Sequence, residues 1–109
     1  MINYDEFKKV EIRIGKILSA EKVPDTDKLL RLEVDLAEEE PRQIVSGIAE
    51  YFDDPKELEG VKCAFVTNLE PRTIRGFESN GMIFAALDGE GHFSLLQPND
   101  SIEVGTLLT

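Results

Sequence analysis

The chain has no tryptophan, one cysteine (Cys63) and one histidine (His92). A lone cysteine excludes a disulfide within the chain. A lone histidine, with no G-x-S-x-G or H-E-x-x-H around any residue, removes the common nucleophile–base pairs and zinc cages. No run of roughly 18 apolar residues is present, the length a membrane helix needs. The opening MINYDEFKKVEIRIG mixes charge with apolar residues and lacks the apolar stretch of a signal peptide. These absences read as a cytoplasmic protein with no membrane span, no cofactor and no catalytic machinery. Basic residues are also scarce: 12 Lys and Arg face 22 Asp and Glu, a formal net charge of −10. Such a balance disfavours a polyanionic partner, because phosphate binding is largely electrostatic.

What is present is a chain of 109 residues, 41% apolar and 31% charged, the size of one domain able to bury a core. Asn3 followed by Glu6 fits a helix cap, with a short helix to about Lys9. VEIRIGKILSAEKV alternates Val10, Ile12 and Ile14, breaks phase at Gly15 and resumes at Ile17, which predicts a long first strand with a bulge or sharp bend at Gly15. PDTD is a turn. LLRLEVDL alternates again, with Leu30, Leu32, Val34 and Leu36 on one face, and AEEEP is a solvated hairpin tip. A third strand falls at about Arg42–Ser46. GIAEYFDDPKELEG reads as one or two short helices broken at Pro55 and ended by Gly60. VKCAFVTNL is a fourth strand, NLEPRTIRGFESNG a long loop, GMIFAAL a fifth strand, and HFSLLQ and IEVGTLL are further short strands.

Three strands, a helical connection and two more strands give the order of an OB-fold. The expected fold class is therefore all-β with short helices: a five-stranded OB barrel with extra C-terminal strands, residues 1–109 forming one domain. In this architecture the loops joining strands 1–2 and 4–5, with the face of strands 2–3, bind the ligand. The charge distribution follows that plan. Residues 1–31 sum to +1, 32–60 to −8, 61–87 to +1 and 88–109 to −4. Lys28 falls on one binding loop, Arg72 and Arg75 on the other, and Arg31 and Arg42 on strands 2 and 3. Two close arginines in so acidic a chain are either held by a carboxylate, with Glu70 and Glu78 nearby, or kept for an anion. DTDKLLRLEVDL begins like a calcium loop but fails it, with Leu29 fifth, Leu30 in place of the sixth-position Gly and Leu36 in place of the final Glu.

DKLLRLEVD, IVSGI and above all NLEPRTIRGFESNGMIFAA resemble the tRNA-binding domain appended to bacterial methionyl-tRNA synthetases. That domain also occurs as a free-standing synthetase beta subunit and in stand-alone tRNA-binding proteins. The likeness runs from about Tyr4 to Leu108. It implies an OB barrel, a homodimer, and recognition of tRNA by shape and phosphate contacts in support of a methionyl-tRNA synthetase catalytic chain. Matched positions imply tRNA contact for Lys28, Asn68, Arg72, Arg75, Ser79 and Met82. Glu70 and Thr73 stand where relatives often carry a basic residue, which implies weaker binding. The rival reading is a protein-interaction or chaperone module like the CsaA proteins of the same fold, whose sequences diverge in the DKLL and SGI segments that are intact here.

Each residue also has a plain structural reading. Asn68 and Ser79 are turn-capping types, Met82 opens an apolar strand and reads as core, Phe77 is a stacking platform or a buried ring, and Cys63 lies mid-strand as inert core. Residues 88–109 carry Phe93, Leu95, Leu96, Ile102, Val104, Leu107 and Leu108 beyond the five strands a barrel needs. Either they cap the chain's own barrel, the monomeric alternative, or with the N-terminal helix they form a self-complementary surface for a two-fold dimer.

Overall fold

The computed structural model describes all residues, 1–109. Asn3 Oδ1 accepts the amide hydrogen of Glu6 at 2.9 Å and starts α1, Tyr4–Lys8, as its position before Glu6 predicts. Nine strands follow: β1 Ile12–Lys22, β2 Leu30–Asp35, β3 Arg42–Ser46, β4 Lys62–Val66, β5 Arg72–Ile74, β6 Phe77–Ser79, β7 Met82–Ile83, β8 Ala85–Leu87 and β9 Phe93–Leu95. Five form one antiparallel sheet in the order β3-β2-β1-β4-β7. Its edges nearly meet: the Asn80 amide donates to Gln43 O at 2.8 Å, Gln43 Nε2 to Glu78 O at 2.9 Å, and the Val45 amide to Ser79 Oγ at 3.0 Å. The five-stranded OB-like barrel expected from the element order is the fold.

Period-two burial builds it. Leu30, Leu32 and Val34 of β2 are fully buried, with Arg31, Glu33 and Asp35 on the outer face. They meet Ile17, Ile44, Phe65 and Cys63 in the barrel interior. Cys63 has no exposure and burial pushes its thiol up to about 12, so it is inert core as expected. β1 pairs with β4 through Ile12–Lys16 and with β2 through Lys16–Lys22, so one strand serves both halves of the barrel.

The expected bulge at Gly15 is absent: pairing runs unbroken from Ile12 to Ile17, so the apolar pattern changes phase because Ile12 and Ile14 face the C-terminal segment while Gly15 and Ile17 face the barrel core. The register shift comes later, at Leu18, between the pairs Ile17↔Val34 and Ser19↔Glu33, and leaves Leu18 exposed. Gly15 instead marks close packing: a Cβ there would lie 2.7 Å from Val34 Cγ1 and 2.9 Å from both Leu36 Cδ2 and Phe65 Cδ2.

Two 3₁₀ helices, Ala49–Tyr51 and Pro55–Leu58, occupy the stretch read as helical and broken at Pro55. Asp54 and Glu57 cap the second reciprocally. Leu58, 1% exposed, then joins the buried core.

Three elements depart from expectation. The 68–80 loop contains the β5–β6 hairpin, because Arg75 and Gly76, at φ 52° and 84°, supply the two left-handed residues of a tight hairpin turn. The fifth strand divides at Phe84, whose amide donates to Ala64 O at 3.0 Å, and β8 leaves to form a ribbon with β9. IEVGTLL forms no strand of its own; it lies along β1, with Ile14 N donating to Thr106 O at 2.9 Å and Leu108 N to Ile12 O at 2.8 Å. Val10, expected inward, precedes β1 and is 43% exposed.

Candidate nucleic-acid interface

The β5–β6 hairpin is positioned by contacts to the outer face of β2 and β3. Ile74 pairs with Phe77 across its turn. The Phe77 ring lies beneath the Arg31 guanidinium, 5.0 Å from Cζ to the ring centroid. Gln43 Nε2, on β3, holds the Glu78 carbonyl. The hairpin therefore leans on the sheet face that OB-folds use for ligands.

The eight residues singled out from sequence divide by what holds them. Arg72, at the start of β5, and Arg75, at the hairpin turn, are exposed and pair with no carboxylate; neither Glu70 nor Glu78 engages them. Lys28, in the β1–β2 loop, is also exposed; its amide donates to Thr26 Oγ1 at 3.2 Å, while its ammonium has no partner. These three cations are available to an anion.

Arg31 and Arg42 are engaged. Glu21 lies opposite Arg31 in the β1–β2 register, and their side chains pair at 2.6 Å. Arg42 donates from Nε and Nη2 to the two carboxylate oxygens of Glu38 at 2.8 and 2.7 Å. Its Nη1 reaches Thr67 O at 2.6 Å and Asn80 O at 3.3 Å. Arg42 thus clamps β3 to the segments either side of the hairpin.

Asn68 and Ser79 are hydrogen-bonded within the fold. Asn68 Oδ1 accepts the Glu11 amide at 2.8 Å and its Nδ2 donates to Lys9 O at 2.6 Å, fastening the end of β4 to the chain after α1. Ser79 is 5% exposed; its hydroxyl accepts from Val45 N and donates to Gly81 O at 3.2 Å, within the barrel closure. Met82 reverses its default reading: it is 46% exposed, and the buried member of β7 is Ile83. The strand starts one residue out of the expected phase, so Met82 faces solvent.

Sequence reasoning missed two groupings. Glu11, Arg13 and Thr67 form a small network: Arg13 Nη2 donates to Glu11 Oε1 at 3.0 Å and Thr67 Oγ1 to Glu11 Oε2 at 2.6 Å. The Arg13 guanidinium, then the Thr67 hydroxyl, hold the Glu11 carboxyl below its usual range. The second is a small cleft between β1, β2 and the hairpin, lined by Glu21, Lys22, Val23, Pro24, Arg31 and Phe77. Its signal was the opposite-charge pair Glu21 and Arg31, legible only once the strand register is known.

Two open apolar grooves lie on another side, of about 600 and 670 Å³. The first is walled by α1 with Tyr4 and Phe7; both include Ile12, Leu107 and Leu108. No helix is long and apolar enough to cross a membrane.

Comparison with known proteins agrees with this architecture. Residues 12–107 match the family described as "Putative tRNA binding domain". The methionine–tRNA ligase of Methanospirillum hungatei is 52% identical over 105 residues, covering 96% of this chain and 15% of the ligase. That of Methanococcoides burtonii is 46% identical over 108 residues, 99% of this chain and 16% of the ligase. The chain thus spans less than a fifth of the length of these relatives. Among solved structures, a MetRS-related protein from Pyrococcus horikoshii superposes with a TM-score of 0.91 at 38% identity, covering 100% of this chain and 98% of that one. The chaperone CsaA from Bacillus anthracis does so with a TM-score of 0.86 at 30% identity, covering 100% and 99%. The family model covers most of the chain, and the chain belongs to the tRNA-binding-domain family.

Proposed function

We infer that the protein is a non-catalytic module that binds folded tRNA by shape and phosphate contacts, and that it serves a methionyl-tRNA synthetase in the cytoplasm. The observation that carries this reading is the pair Arg72 and Arg75, exposed on a hairpin laid against the β2–β3 face and free of carboxylate partners. Guanidinium groups in that state suit bidentate contact with phosphate or stacking on an unpaired base. Lys28 and exposed Met82 are the other members of the interface. Asn68, Ser79 and Arg42 support it from behind, and Arg31 acts together with Glu21. Relatives named as methionine–tRNA ligases supply the choice of synthetase.

Filter binding of tRNA and of duplex DNA, titrated over several salt concentrations, tests the reading. Three or four phosphate contacts per subunit give a log–log salt slope of roughly −2 to −4. A flat salt response, or equal affinity for duplex DNA, refutes it.

The module acts as a homodimer in this reading. Exposed Tyr4, Phe7, Val10, Leu107 and Leu108 line or border apolar grooves that a second copy would cover. Two basic hairpins on one particle would raise avidity for a large RNA if both engage it. A CsaA-like role in protein interaction is the second reading, favoured by the same grooves; an unfolded client that displaces tRNA would support it.

A further inference from the structure

The cleft between Glu21, Lys22, Val23, Pro24, Arg31 and Phe77 sets an ion pair beside an aromatic ring and a proline. Its walls carry flat groups: the Phe77 ring, the Arg31 guanidinium over it with Cζ 5.0 Å from the ring centroid, and the Pro24 ring. Its rim carries one fixed acceptor. Glu21 Oε2 is held by Arg31 Nη2 at 2.6 Å, while Glu21 Oε1 has no partner. The volume is about 160 Å³, well below the roughly 300–1,000 Å³ of pockets that enclose a small molecule. It admits a single small ring system without the sugar attached to it.

We propose that this cleft is a subsite for one unpaired pyrimidine base, and that Glu21 makes it select cytosine over uracil. The inference rests on the RNA-binding reading above and adds a base preference to it. Aromatic rings and guanidinium planes are the surfaces on which proteins stack splayed bases. An ionised carboxylate only accepts hydrogen bonds. Cytosine offers it the N4 amino group, whereas uracil presents the O4 carbonyl at that position and is repelled. Arg31 keeps the carboxylate in place and offsets its charge, so the acid does not simply oppose the RNA backbone. Lys22 lies on the same rim and supplies a cation for the adjoining phosphate.

The test measures fluorescence anisotropy of labelled hexacytidylate and hexauridylate at low salt and neutral pH, with tRNA titrated in parallel. The wild-type chain is expected to prefer the cytosine hexamer on the order of tenfold, the scale of discrimination that good base-edge contacts supply. Glu21→Gln, which replaces an acceptor by a group that both accepts and donates, brings the ratio to within about twofold of one. Because the change in the ratio between wild type and variant is what is read, any general gain from removing a negative charge, or from the better stacking of cytosine, cancels. Phe77→Leu keeps apolar volume, loses the π-face and weakens both hexamers about tenfold. Equal affinity for the two hexamers, a preference that survives Glu21→Gln, or binding of neither hexamer at protein concentrations that saturate tRNA would overturn the proposal. If tRNA binds in any of those cases, the subsite alone falls; if tRNA also fails to bind, the RNA-binding reading falls with it.

Discussion

Arg72 and Arg42 are both arginines at the first residue of a strand, yet their replacement should have opposite consequences. Arg72 is exposed and makes no hydrogen bond or ion pair within the chain through its side chain. Folding gains almost nothing from such a side chain, since even a paired surface charge contributes only about 0–1 kcal/mol. Bound to a phosphate, each guanidinium supplies a charge-assisted hydrogen bond of about 1.5–3 kcal/mol, or roughly ten- to hundredfold in affinity. Arg75 needs a more careful replacement because its φ is 52°, so Asn, which tolerates that conformation, removes the charge while preserving the turn. Arg72→Ala with Arg75→Asn should therefore weaken tRNA binding by at least tenfold and leave the melting temperature within a few degrees. The double variant should also flatten the salt slope by about 0.7–0.9 for each phosphate that is no longer neutralised.

Arg42→Ala supplies the control. It strands Thr67 O and Asn80 O and leaves Glu38 without its bidentate partner, in a side chain 26% exposed. A loss of about 2 kcal/mol follows from stranded acceptors of this kind, which for a chain of this size lowers the melting temperature by roughly 10 °C. Differential scanning fluorimetry and filter binding on the same preparations read both effects. Hairpin variants that lose stability and retain tRNA affinity would show that these arginines hold the loop, and would refute the reasoning.

Gly15→Ala should cost about 1–3 kcal/mol in chemical denaturation, because its Cβ would lie under 3.0 Å from Val34, Leu36 and Phe65 in a closed core. Cys63, fully buried with its thiol raised to about 12, should resist aromatic disulfide reagents in the native protein and react on unfolding. Glu11 has a lowered pKa from Arg13 and Thr67, so the folded state prefers the charged form; that stability is present above its ordinary value of 4.5 and lost as pH falls through the folded value. Glu11→Gln should accordingly make the melting temperature fall less steeply below about pH 4.5 than in the wild type. Leu107→Arg with Leu108→Glu, two exposed positions in the apolar grooves, should convert a dimer to monomers by sedimentation equilibrium at tens of micromolar; a wild-type chain already monomeric there would reject the dimer.

The barrel was legible because its strands carry strict period-two patterns and punctuated ends. β3 was placed at Arg42–Ser46, where it lies, and β2 differed only at its ends. The extra strand pair β5–β6 escaped because its interior residues, Thr73, Ile74, Phe77 and Glu78, do not alternate cleanly, and its turn has a charged arginine where Asn or Gly is the usual signal. The C-terminal IEVGTLL read as a strand from its apolar content, yet only a short stretch reaches β1, and Gly105 at φ 90° bends it where a Cβ would meet Ala37 at 2.8 Å. Among the site residues, location was readable and engagement was not. Composition gave Arg31, Arg42, Arg72 and Arg75 the same charge; only the register, which sets Glu21 against Arg31, and the barrel closure, which brings Thr67 and Asn80 to Arg42, separate held cations from free ones.

That separation also resolves how a chain of charge −10 can present a surface to RNA. Arg13, Arg31 and Arg42 are neutralised by Glu11, Glu21 and Glu38, and Lys62 is engaged by the carbonyls of Asp100 and Ile102 at 3.0 and 2.6 Å. The acids concentrate in residues 32–60 and 88–109, which sum to −8 and −4. The molecule extends 40 × 38 × 31 Å, whereas charges at physiological salt are screened beyond about 8 Å. Carboxylates beyond that length then cost the hairpin little, and Arg72 and Arg75 present unpaired positive charge on it, as Lys28 does on the β1–β2 loop. At roughly 0.01 M salt the screening length grows to about 30 Å, comparable to the whole molecule. The net negative charge then opposes the approach of RNA, so the usual gain in affinity on lowering salt flattens. The steep part of the salt titration near physiological ionic strength is the part that counts neutralised phosphates.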